Sequence, residues 1–139
     1  MYDKPMLSLD QVRKAMDTML NLATKSPDQP LAIAIVDDQG SLVSYARMDR
    51  CRLIPQRMAI RKAYTCAVTG QDSQAYAERL ASQGRSVAEM GDPQLAAVQG
   101  GVVVLHRSTG AILGGIGVSG LSAAEDEALA RAGLEALGL

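Results

Sequence analysis

Basic side chains crowd one stretch of this chain. Arg47, Arg50, Arg52, Arg57, Arg61 and Lys62 fall within 16 residues and make up six of its 14 Lys and Arg. Guanidinium forks pair with carboxylate or phosphate oxygens through two parallel hydrogen bonds. The cluster therefore reads either as a solvated face or as a seat for a small anion. Lys62 is the sharpest candidate, because Ala59, Ala63 and Cys66 flank it and leave its stem to pack among small apolar groups. Burial would lower its pKa and suit it to acid/base work. The ordinary alternative is a stem lying along the surface with its ammonium in water.

Glycine is the second unusual feature. Gly100-Gly101 and Gly114-Gly115 recur in two apolar runs, and Gly115 to Gly120 spells G-x-G-x-x-G. A dinucleotide-binding turn needs a following parallel strand and an acid about 20 residues on. The 19 residues after Gly120 read as one helix, so that reading is rejected. The glycines then mark either close helix-on-sheet packing or a groove where a ligand lies on bare backbone. His106 stands alone at the end of an apolar run, and two Cys with one His cannot complete a tetrahedral zinc site without carboxylates. Ser119 has no recognisable His and acid partners for a hydrolytic triad.

The elements that position these residues follow from pattern. Ser8 with Gln11 makes a capping box ahead of apolar positions at helical spacing. Leu31 to Val36 is an unbroken apolar run, expected as a strand covered on both faces, and Asp37 to Gly40 turns the chain into a partner strand. A helix follows Pro55 and stops at Gly70, and a short helix opens at Asp72 or Ser73. Residues 83–93 read as a long loop. Val102 to Leu105 and Ala111 to Val118 form a second hairpin, and Ser122 with Glu125 opens a final helix. Two hairpins imply antiparallel pairing, hence one α+β domain over residues 1–139 with helices on an antiparallel sheet.

Composition narrows the function. The four Tyr are the sole aromatics and the net charge is −1. Stacking platforms for single strands and a basic footprint for duplexes are both missing, so no nucleic-acid partner is expected. No apolar run reaches the ~18 residues of a membrane helix, and the start shows no export signal, so no membrane partner and a cytoplasmic location are expected.

Several pieces together resemble the GlcG/HbpS-like family, also called the haem-degrading or DUF336 domain. They are Ala34-Ile35-Val36-Asp37 with Gly40, Arg47-Met48-Asp49, Ala59 to Thr65, Gly100-Gly101-Val102, Gly114 to Gly120, and Asp126-Glu127. The resemblance implies a profilin-like fold with about five antiparallel strands, the fifth falling between Val87 and Gln99. It implies a homo-oligomer, a dimer or larger. Haem is a cofactor for some members, whereas others serve catabolic pathways. Gln99 stands where many members have Pro, and the first helix lacks a histidine that some haem-binding relatives carry there.

Three functions are expected from the residues and the resemblance together. The first is a small-molecule-binding accessory protein of a catabolic pathway, holding an anionic or flat ligand against Arg47, Met48, Asp49, Lys62, Tyr64, Gly100, Gly101, Gly115, Gly117, Ser119 and Gly120. The second is an enzyme on a small oxygenated or carboxylated metabolite, with Lys62 or Asp49 as acid/base and Arg47 on the carboxylate. The third is a haem-binding or haem-handling oligomer.

Overall fold

The computed structural model describes all 139 residues. In chain order it contains α1 (Leu9–Ala23), β1 (Ala32–Asp37), β2 (Leu42–Arg47), α2 (Leu53–Thr69), α3 (Ser73–Ser82), a 3-10 turn (Val87–Met90), β3 (Gly101–Leu105), β4 (Ile112–Ser119) and α4 (Ala123–Ala136). The strands form one sheet in the order β2-β1-β4-β3. Every pairing is antiparallel, so β4 has no parallel neighbour for a dinucleotide turn.

The unbroken apolar run of β1 has a direct cause: both of its faces are covered. Ile33 and Ile35 point into a core shared with Val12, Met16 and Met19 of α1 and Ala130 of α4. Ala32, Ala34 and Val36 point the other way, onto Ala59, Ala63 and Ala67 of α2. The sheet thus lies between α2 on one side and α1 with α4 on the other, and the α2 side is built from small residues on both partners.

Local signals set the helix ends. Ser8 and Gln11 exchange both hydrogen bonds of the capping box. Gly70 closes α2 with φ of 70°, a conformation that favours glycine. At α4, Ser122 accepts the Glu125 N–H at 3.2 Å, while the Glu125 carboxylate accepts from the Ser122 hydroxyl rather than from its backbone.

The sheet has four strands, not the five expected. The stretch between Val87 and Gln99 holds the 3-10 turn and then irregular chain. Its place beside β3 is taken by the start of α3. The Gly101 N–H donates to Ser73 Oγ at 2.9 Å, and the Val103 N–H donates to Asp72 Oδ1 at 2.9 Å. Those are the free-edge donors a fifth strand would have used, so side chains close this edge instead. The Ala96 N–H is likewise drawn to Thr65 Oγ1 at 2.8 Å on α2.

Candidate functional site

The glycines do not frame an open groove. A Cβ on Gly115 would strike the Ala63 carbonyl oxygen, and one on Gly117 the Ala59 carbonyl oxygen. On Gly101 it would lie 2.8 Å from both the Lys62 carbonyl oxygen and Cys66 Sγ. The backbone of α2 therefore fills the space expected for a ligand, and close packing accounts for Gly101, Gly115 and Gly117. The same contact seals Cys66, whose thiol is pushed up to about 12 by burial.

Lys62 sits inside this layer, 2% exposed. Its Nζ donates to the Val118 carbonyl at 3.0 Å and to Asp126 Oδ2 at 3.1 Å. Asp126, 3% exposed, accepts the Leu121 N–H on Oδ1 at 2.9 Å. Burial raises the Asp126 pKa above the ordinary carboxylate value, against the opposing pull of the Leu121 N–H and the Lys62 ammonium. The ammonium also lies 2.5 Å from where a Gly100 Cβ would sit. Lys62 is thus consumed by the fold: with Asp126 it ties the end of β4 and the turn after it to α2.

The remaining expected residues disperse. Met48 is a core residue beneath α1. Arg47 donates to Gln56 Oε1 on α2. Asp49 is exposed, and Ser119 is buried. Tyr64 donates its hydroxyl to Asp92 Oδ2 at 2.6 Å, and this bond lowers the Asp92 pKa and raises that of Tyr64. His106 is at the β3–β4 hairpin, with Nδ1 2.9 Å from Thr109 Oγ1. Gly120 is the one expected residue that lines the larger of two surface cavities.

That space is a cleft of about 1100 Å³ where three connections converge. Residues 27–30 lead into β1, Arg50 and Arg52 to Pro55 lead into α2, and Gly120 to Ser122 with Glu125 lead into α4. Gly120 is required here: its φ is 137°, and an added Cβ would lie 2.7 Å from the Pro30 carbonyl oxygen. Arg50 holds φ of 70°, the sole non-glycine residue in that region. Arg50 takes this conformation in the turn that the Cys51 N–H closes on the Met48 carbonyl at 3.1 Å.

The chemistry of the lining is mixed. Arg52 caps α2 with no side-chain hydrogen bond, so the Leu53 and Ile54 N–H groups are left to outside partners at the positive end of the helix. Neither Arg50 nor Arg52 enters an ion pair within the chain. Asp28 and Glu125 supply acceptors, and exposed Leu53 and Ile54 form an apolar rim. Arg50 and Arg52 belong to the basic cluster of the sequence, but of the residues expected at the site only Gly120 is in this lining. Glu125 lies in the first turn of α4, where an acid already suits the helix dipole, and nothing local in sequence joins it to Arg50. The signal that the sequence carries is two arginines just ahead of a helix start with no Ser, Thr, Asp or Asn at its cap.

A family model described as haem degrading protein HbpS-like matches residues 7–135. Protein GlcG of Escherichia coli K12 is 36% identical over 89 residues, which cover 64% of this chain and 63% of that protein. The match thus spans less than two thirds of the curated relative. Streptomyces reticuli HbpS, solved as a double mutant, is similar with a TM-score of 0.86 at 28% identity, covering 100% of this chain and 92% of that one. The PduOC:heme complex shares the fold, with a TM-score of 0.83 at 21% identity over 95% of each chain.

Proposed function

The chain belongs to the HbpS-like family, and from that premise we propose that it is a ligand-binding accessory protein of a catabolic pathway, holding a small oxygenated organic anion in the cleft between the starts of α2 and α4. One observation carries the reading: Arg50 and Arg52, unpaired within the chain, stand beside the uncapped start of α2. Two guanidinium groups and free helix N–H groups suit a carboxylate. Asp28 and Glu125, on the other two lining segments, suit the hydroxyls of the same molecule. Lys62, rather than touching the ligand, holds the Val118 to Leu121 wall in place with Asp126.

Haem is attached to relatives by the family description and by the PduOC complex. It asks for an axial donor beside an apolar face. No His, Met, Cys or Tyr lines this cleft. Met48 is in the core, Cys66 is sealed under α2, and His106 is at a hairpin. The residues present do not fit an axially ligated haem in the cleft.

Calorimetric titration with lactate, a small 2-hydroxy acid, tests the proposal. Replacing Arg50 and Arg52 together by Ala should weaken binding at least tenfold, the scale of a lost charge-assisted hydrogen bond. Equal affinity in that variant would overturn the assignment.

A further inference from the structure

A second, smaller cavity opens beside the cleft. It holds about 110 Å³ and is lined by Leu22, Ala23, Ser26, Gln29, Leu31, Leu121 and Leu129. Gln29 and Leu121 border both spaces, so the two adjoin, with these side chains as their common wall. Their chemistry differs sharply. The cleft is lined by Arg50, Arg52, Asp28 and Glu125, whereas five of the seven residues around the smaller cavity are hydrophobic. Its polar members, Ser26 and Gln29, lie at exposed positions, while Ala23 and Leu31 are buried.

A charged head therefore has its seat next to an apolar recess of bounded size. Resting on the carboxylate reading above, we infer that the ligand is amphipathic: a hydroxy acid whose aliphatic tail enters the recess under α1 and α4. The volume sets the length. An apolar cavity of about 150 Å³ takes one benzene, so this recess takes a tail of about four carbons. Nothing in the recess offers a buried charge or an unpaired polar side chain to a tail bearing a second polar group.

A series of straight-chain 2-hydroxy acids from lactate to 2-hydroxyoctanoate tests this by calorimetry. Each buried methylene should tighten binding by about fourfold, so that 2-hydroxyhexanoate exceeds lactate roughly sixtyfold, with no further gain at eight carbons. Ala23→Leu fills the recess and should flatten the series, and Ser26→Leu does the same from the exposed side should the first variant fold poorly. Lactate binding without chain-length dependence would overturn the tail while leaving the carboxylate reading intact. A length dependence that survives both variants would place the tail elsewhere and also overturn it. Failure of every acid to bind would remove both readings.

Discussion

Lys62→Met keeps the length and apolar stem of the side chain and deletes the ammonium. Asp126 then stays buried without its cation, and the Val118 carbonyl loses its donor. Removing one member of a buried ion pair costs about 3–5 kcal/mol, because the other charge is stranded. At a urea slope of about 2 kcal/mol/M, the midpoint should fall by about 2 M. The double variant Lys62→Met with Asp126→Asn should recover most of this, since Asn still accepts the Leu121 N–H and no charge is left behind. Acidity provides a second check. Asp126 already holds its proton more tightly in the fold than in the unfolded chain, and losing Lys62 strengthens that preference. The native state then gains stability as pH falls toward the ordinary carboxylate range, so the deficit of Lys62→Met should shrink in acid. A midpoint within 0.5 M of the parent at pH 7 would refute the structural assignment and return Lys62 to the catalytic candidates.

Arg50→Gly relieves a left-handed residue worth about 1–2 kcal/mol and gives back part of it through unfolded-chain entropy, so the melting temperature should rise by about 2 °C while lactate binding weakens. A less stable variant with unchanged binding would contradict this account. Gly117→Ala places a methyl against the Ala59 carbonyl and should cost about 3 kcal/mol or more by chemical denaturation; a neutral effect would mean that α2 sits farther from the sheet. The Tyr64–Asp92 bond should stabilise between the ordinary carboxylate and phenol ranges. Its contribution is lost as pH falls through the lowered Asp92 value, and lost again as pH rises above 10.0, where the unfolded phenol ionises first. The difference in urea midpoint between the parent and Tyr64→Phe, followed across pH, should vanish at both extremes.

The elements were legible because local rules generate them. The Leu31 to Val36 run named a strand buried on both faces, and the Ser8–Gln11 pair named a helix start. Lys62 shows where such reading stops. Its small neighbours announce burial, but its partner lies 64 residues away on α4, and Asp126 sits in that helix's first turn, where the dipole alone suits an acid. The glycines were ambiguous for the same reason, since bare backbone serves a ligand and a close helix equally, and only the carbonyls of Ala59 and Ala63 decide between them. The missing fifth strand turned on Asp72 and Ser73, whose side chains bond to β3 rather than cap α3. The cleft is assembled by three connections distant in sequence, and no periodic pattern links Pro27, Arg50 and Gly120.

Amide chemical shifts recorded during a titration with 2-hydroxyhexanoate test the central claim most directly. The largest changes should fall on Leu53 and Ile54 at the start of α2 and on Gly120 to Ser122, with smaller ones at Ala23. Changes centred on Tyr64, Gly100 and Gly101, with those cleft residues silent, would contradict it and restore the site to the face of α2 that packs on the glycines.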